Sequence, residues 1–222
     1  MTPLILAVDT THAQGSLALA RAGDLLEEVA LESPSGFAHV IYSHLEGLLG
    51  RHRVSVDDVD CFAAASGPGA FTGVRVCLAC VKGLAEAAGK PAVAVSNLAA
   101  IASFGTAPLR AAMFDARRGE IYAAVYDDTG HLVRPETVAA PARWLEALPE
   151  GVELVSPDFS PFADALAVSR FHDARRTTAP RALAAAIARI AWQRWQAGEA
   201  ADPAALDANY VRRSDAELLW KG

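Results

Sequence analysis

The sequence predicts an α/β fold repeated in tandem, each copy a mixed β-sheet flanked by helices. Three observations carry this. An apolar run ends in Asp twice, at Leu4-Ile5-Leu6-Ala7-Val8 before Asp9 and at Leu109 to Phe114 before Asp115. Both runs pass through a polar turn that reaches a Gly and then a returning strand, so AVDTTHAQGSLAL lines up with AMFDARRGEIYAA as a pattern. Helical segments follow each meander, which gives βββαβαβα in the first half.

The elements follow in order. Leu4 to Val8 is a continuous apolar run suited to a strand buried on both faces. Thr10 to Gln14 turns, Gly15 to Ala20 runs back, Ala22 to Asp24 turns again, and Leu25 to Leu31 makes a third strand. A helix over Phe37 to Leu49 is entered through Ser33-Pro-Ser-Gly. A strand at Cys61 to Ala65, a glycine-rich loop, a helix over Val74 to Ala88, a strand at Ala92 to Val95 and a helix over Asn97 to Ser103 complete this half. The second half offers strands at Leu109 to Phe114, Glu120 to Tyr126 and His131 to Arg134, then a helix at Pro141 to Ala147 and a strand at Glu153 to Ser156. A helix near Phe162 and a long one over Pro180 to Ala197, with Pro in its first turn, follow. The expected division is residues 1–105 and 106–222, the second part carrying the long helix and the tail.

The chain has 222 residues, 52% hydrophobic and 21% charged, enough for one large domain or two small ones with ordinary cores. No apolar run approaches the ~20 residues that cross a bilayer, and the expected location is cytoplasmic. A net charge of −6 argues against a stand-alone nucleic-acid binder, although residues 170–194 carry six Arg against one Asp. Three Cys fit a reducing compartment. Cys77 and Cys80 form a C-x-x-C, but they lie a turn inside a helix among Val76, Leu78 and Val81, so buried small side chains outweigh a redox or metal pair.

The loop Ser66-Gly-Pro-Gly-Ala-Phe-Thr-Gly73 invites a phosphate-binding reading. Its glycines Gly67, Gly69 and Gly73 miss both the Walker A and the dinucleotide spacing, and no Lys occurs before Lys82. Two readings remain: a generic anion site at a helix start, or a tight turn at Gly67-Pro68-Gly69 with close packing at Gly73. His39 and His44 are five apart, about 500° of helical rotation, so they share no face, and no H-E-x-x-H occurs. There is no G-x-S-x-G elbow. Asp9-Thr10-Thr11, with Asp115 as its counterpart, either holds a Mg²⁺-phosphate or simply organises its own turn. No Gly-Gly dipeptide exists to lay backbone against an adenosine, which counts against strong independent nucleotide binding.

The helices carry more. Phe37, Val40, Ile41 and His44/Leu45 follow i, i+3, i+4, i+7, i+8 spacing, and Leu48 continues the stripe one turn on. In the second helix Val74, Cys77, Leu78, Val81, Leu84 and Ala85 form one stripe, while Val76, Cys80 and Ala87 fill much of the rest. A helix apolar nearly all round must be covered on more than one side. Either the two helices cover each other or a second subunit covers both. Phe37, Val40, Ile41, Leu45, Leu48, Val74, Cys77, Leu78 and Val81 are the expected partner interface.

The tandem hairpins, each ending in a carboxylate, resemble the actin-like, Hsp70-like fold (ASKHA, ribonuclease-H-like). Residues 66–98, SGPGAFTGVRVCLACVKGLAEAAGKPAVAVSNL, further resemble the TsaB (YeaZ) family, whose pattern is close to GPGSFTGLRIG…KGLA…P…VSTL. Leu4 to Thr11 matches the family's opening. Asp115-Ala-Arg-Arg-Gly-Glu-Ile-Tyr122 matches its D-A-R-x-x-E-x-Y, and Ala208-Asn-Tyr-Val-Arg212 its late P/A-x-Y-[LV]-R. Departures are Ala70 for Ser and Val76-Cys77 for Ile-Gly, the latter adding bulk to a helix face.

The resemblance implies a non-catalytic subunit in the transfer of threonylcarbamoyl to N6 of the adenosine beside the tRNA anticodon. TsaD would be the main partner, TsaE would join, a homodimer would form without TsaD, and tRNA would be met through the complex. In TsaD a V-N-H-x-x-G-H segment supplies metal ligands. The corresponding stretch here is Val95-Ser-Asn97-Leu-Ala-Ala-Ile101, with an amide and an alkyl group in place of the imidazoles. No metal and no tightly held cofactor are therefore expected of this chain alone, while ATP and Mg²⁺ are compatible with the complex. The rival readings are an independent ASKHA-type ATPase or small-molecule kinase using Asp9 and Asp115, and an M22-type metallopeptidase.

Overall fold

A computed structural model describes residues 2–212, and the chain divides into two compact units. The first holds the described residues up to Asn97 together with Arg181–Asn209; the second holds Leu98–Pro180 and resumes at Tyr210.

In the first unit, strands β1 (Leu4–Asp9), β2 (Gly15–Arg21), β3 (Asp24–Leu31), β4 (Cys61–Gly67) and β5 (Ala92–Ser96) form one mixed sheet in the order β3-β2-β1-β4-β5. β1 is central, antiparallel to β2 with Asp9 opposite Ser16, and parallel to β4. Every residue of β1 and β4 is buried, so their apolar runs need cover on both faces. Helices α1 (Ile41–Arg51) and α2 (Phe71–Ala88) supply one cover. The other comes from α6 (Ala184–Gln196), which lies across all five strands.

Alternation in β2 shows the division. Ser16 Oγ accepts the Ala184 N–H at 2.9 Å on the α6 side. A Cβ on Gly15 would sit 3.1 Å from the Phe37 ring on the other. The long helix thus belongs with the first sheet, not with residues 106–222 as the sequence suggested. The reason is the doubly apolar strands, which α6 covers from that side. Its start also moves from Pro180 to Ala184. The N–H groups of Ala184 and Ala185 are taken by Ser16 Oγ and Glu28 Oε1, so the cap comes from distant strands.

The second unit repeats the plan. β6 (Leu109–Asp115), β7 (Ile121–Asp127), β8 (Leu132–Ala139), β9 (Glu153–Ser156) and β10 (Arg176–Thr178) order as β8-β7-β6-β9-β10, the same sequence of first to fifth strands. Met113, Ile121 and Val125 pack with Trp144 and Leu145 of α4 (Pro141–Ala147) and Leu166 of α5 (Ala163–Ala167) in one core. The short helix α3 (Asn97–Ala102) leads into this unit.

Most expected elements lie within a few residues of their observed bounds. The helix expected from Phe37 is a single 3-10 turn, Phe37–His39, followed by α1, and α2 begins at Phe71 rather than Val74. β10 had no expectation; three residues with one half-buried Thr give no readable period. Among the described residues no helix is long and apolar enough to cross a membrane.

One buried charge ties the second unit together. Glu153 accepts hydrogen bonds from Thr106 N–H (2.6 Å), Ala107 N–H (2.7 Å) and Thr177 Oγ1 (2.6 Å), with Arg175 Nε at 3.2 Å. Burial pushes this carboxyl up, but the bonds from Thr177, Ala107 and Thr106 and the Arg175 charge outweigh it and hold the group below its ordinary range. A lowered folded value means that the stabilisation is complete above the ordinary glutamate pKa, about 4.3, and fades as pH falls through the folded value. Glu153→Gln should therefore cost on the order of 2 kcal/mol at neutral pH, a deficit relative to wild type that shrinks below pH ~4; denaturant titrations at pH 7 and pH 3 measure it.

Candidate functional site

The turn after β1 and the glycine loop before α2 meet backbone to backbone. Ala70 N–H donates to Thr11 O at 2.8 Å, and Thr10 Oγ1 donates to Gly73 O at 2.7 Å. A Cβ on Gly73 would stand 2.1 Å from Thr10 O, and one on Gly69 2.6 Å from Thr11 O. Gly67, with φ of +100°, takes a conformation side chains disfavour. The glycines therefore provide turn geometry and close approach, the packing alternative of the two readings.

Inside this contact the polar groups form a chain. Asp9 Oδ1 accepts the Thr11 N–H at 2.8 Å and Thr11 Oγ1 at 2.6 Å. Asn97 Nδ2 donates to Thr11 Oγ1 at 2.6 Å, and Asn97 Oδ1 accepts the Gly67 N–H at 3.0 Å. Asp9, Thr10, Thr11 and Asn97 are all buried. Asp9 Oδ2 meets no hydrogen-bond donor among the described residues. His12 places Nδ1 3.0 Å from Thr11 Oγ1. Burial, the largest influence, pushes its imidazole below the ordinary value; the Asp9 charge raises it and the Arg181 charge lowers it further.

A metal does not suit this corner in the way the resemblance to TsaD would require. Both polar atoms of Asn97 are engaged, and Ile101, also buried, has no donor atom.

Asp115 lies in the other unit and repeats the local role of Asp9. Its Oδ1 accepts the N–H two residues on, from Arg117, at 2.8 Å. That turn carries Arg117, Arg118 and Gly119 at positive φ. Arg212 holds it from outside, donating to Ala116 O at 2.8 Å and pairing with Glu120.

The expected interface stripe is corrected by burial. Phe37, Ile41, Leu45, Leu48, Val74, Cys77, Leu78 and Val81 are buried within the first unit, and Val40 is half-buried. The strongest apolar stripe of each helix faces its own sheet, because that is the largest dry surface within reach. Cys77 is part of this core: its Sγ donates to Val8 O at 3.0 Å, so the Val76-Cys77 departure adds bulk largely inward. Burial pushes the Cys77 thiol well up, Cys80 to about 11 and Cys61 to about 12, which leaves all three protonated at neutral pH.

What the helices show outward is different. Tyr42 is 59% exposed at the start of α1 and Phe71 46% exposed at the start of α2, with the Arg75 guanidinium over its ring. Beyond them α2 exposes Arg75, Ala79, Gly83 and Ala87, each four residues from the last. A Cβ at Gly83 or at Gly50 of α1 would meet nothing within 4 Å. The sequence pattern put Ala87 on the remaining surface but did not single out Ala79 or Gly83, because small residues add little to a hydrophobic pattern.

Two sheets of one strand order, each opening on a hairpin whose Asp organises the turn, define a duplicated actin-like protein. A family model described as TsaD, tRNA N6-adenosine threonylcarbamoyltransferase, matches residues 35–194. The Bacillus subtilis protein named tRNA threonylcarbamoyladenosine biosynthesis protein TsaB is 29% identical, over 97% of each chain. Its Escherichia coli namesake is 34% identical over 60% of this chain and 64% of its own. The solved structure of YeaZ from Pseudomonas aeruginosa superposes with a TM-score of 0.76 at 29% identity, covering 94% of this chain and 99% of that one. The chain belongs to the TsaB/YeaZ branch of the family that this model describes.

Two outcomes follow from the packed corner. Gly73→Ala should lower stability by several kcal/mol, or prevent folding, since its methyl must displace the Thr10 backbone; a thermal melt checks it. The folded value of His12 is depressed, so its contribution is intact above the ordinary imidazole pKa of about 6.5 and lost as pH falls towards the folded value. His12→Gln should remove that part of the pH dependence between pH 7 and pH 5, read as the slope of unfolding free energy against pH.

Proposed function

We propose that this chain is a non-catalytic subunit of the assembly that forms N6-threonylcarbamoyladenosine in tRNA, acting with TsaD and TsaE. In this reading it docks TsaD through the outward faces of α1 and α2, and pairs with a second copy through the same faces when TsaD is absent. ATP and Mg²⁺ would enter with the complex, and tRNA would be met mainly through TsaD.

The observation that carries the reading is Gly83. A glycine inside a helix costs about 0.5–1 kcal/mol relative to alanine. Nothing among the described residues requires it, since a Cβ there would have open space. A helix backbone from another chain lying close along Ala79 and Gly83 would require it, with Tyr42 and Phe71 as the large flanking groups. The engaged Asn97 and the alkyl Ile101 support the non-catalytic part of the reading.

A second reading has one observation in its favour. Asp9 Oδ2 is buried and meets no donor among the described residues, a position from which a carboxylate could take part in holding a Mg²⁺-nucleotide. Titration calorimetry of the isolated chain with Mg-ATP separates the two: micromolar binding would support an independent ATPase or kinase, and its absence the subunit reading.

Gly83→Arg should leave the melting temperature within a few degrees of wild type, because its side chain enters open space, yet abolish co-purification with TsaD and the tRNA modification reconstituted from this chain, TsaD, TsaE and the threonylcarbamoyl adenylate. Ile41→Asp and Val81→Asp should instead unfold the chain, since both are core. Undiminished binding by Gly83→Arg would defeat the docking assignment.

A further inference from the structure

Gly67 is gripped from two sides by asparagines. Its N–H donates to Asn97 Oδ1 at 3.0 Å, and its carbonyl accepts from Asn209 Nδ2 at 3.4 Å. The neighbouring Ser66 carbonyl accepts the Asn209 backbone N–H at 2.8 Å. A Cβ on Gly67 would lie 3.1 Å from Asn209 O. These two asparagines are also the last residues of the first unit at two of the three points where the chain passes between units, 97/98 and 209/210. Two crossovers are thus fastened to one residue of the glycine loop.

That loop leads directly into α2. Three residues separate Gly67 from Phe71, and the Ala70–Thr11 and Thr10–Gly73 bonds fix the first turn. With no room for a Cβ at Gly69 or Gly73, the loop and the first turn of α2 pack tightly on Thr10 and Thr11, and Gly67 joins this packing to the two asparagines. The late Asn209 is therefore bound to the same element as Asn97, although 112 positions separate them in sequence numbering (209 less 97).

We propose that the Gly67 clamp couples docking on α2 to both crossovers, with Asn97 and Asn209 as positioning residues. Pressure on the Phe71 face tightens the two asparagine contacts, and the chain at Leu98 and Tyr210 is steadied as a consequence. The proposal rests on the docking reading given above.

The clamp contains two backbone donors whose exchange reports it directly, the N–H of Gly67 and that of Asn209. Amide hydrogen exchange is measured on the full chain alone and saturated with purified TsaD, complex formation being verified first by size-exclusion chromatography. Docking should slow both amides by about tenfold or more, and Asn209→Ala, a change at a half-buried side chain, should shrink the effect at Gly67 while TsaD still binds. A purely structural clamp would exchange at the same rate with and without TsaD. That result, with TsaD demonstrably bound, overturns the coupling and leaves docking standing. Failure of TsaD to bind at all overturns the docking reading and the coupling with it.

Discussion

The first unit depends on a contact made without side chains. The turn after β1 and the loop before α2 lie so close that a methyl at Gly73 would stand 2.1 Å from a carbonyl oxygen. Such an approach removes two stretches of backbone from water, which is costly unless their polar groups are paired. Here they are: Thr11 O takes the Ala70 N–H, Gly73 O takes Thr10 Oγ1, and the Gly67 N–H goes to Asn97. The direction of α2 follows from this joint. So does the line of its exposed residues, because a helix fixed in its first turn is fixed along its length.

The joint was half legible in the sequence. Three glycines that fail every phosphate-loop spacing, two of them flanking a Pro, leave turn and packing as one of two readings, and the structure uses them so. The strands were legible because doubly buried runs such as Leu4–Asp9 leave no other reading. The orientation of the helices was not. Periodicity identifies Val74, Cys77, Leu78 and Val81 as one stripe but cannot say whether the dry surface beneath it is the chain's own sheet or another molecule. The place of α6 was hidden for a related reason. Its end groups are satisfied by Ser16 and Glu28, 168 and 157 positions away from their partners, so no local capping residue announces it. Glu153 reads as an acid at the edge of a short strand, and only the converging donors of Thr106, Ala107 and Thr177 reveal it as a buried anchor.

Duplication explains why two carboxylates stand at matching positions without sharing a task beyond the turn. Asp9 and Asp115 each accept the N–H two residues on, both at 2.8 Å. A carboxylate after a central strand thus organises the hairpin in both copies. The surroundings have diverged. In the first unit the turn is sealed beneath the glycine loop. In the second the turn is left in the open with Arg117 and Arg118 in left-handed geometry, and an Arg from the end of the chain secures it.

In the docking reading proposed above, the make-up of the outward helix faces suits a chain that must also exist free. A stripe of leucines there would bury more area on association, at ~25 cal/mol per Å², but would also show a large apolar patch to water before the partner arrives. Ala79, Gly83 and Ala87 expose little apolar area apiece, and the large exposed groups of the two helices, Tyr42 and Phe71, each stand at a first turn, Phe71 beneath an arginine. In that reading a strip of small residues gains its affinity from closeness of backbones, and closeness tolerates no added side chain. The free chain would then give up the small helix stability an alanine at Gly83 would supply, and in return its surface would exclude partners whose backbone cannot approach as near.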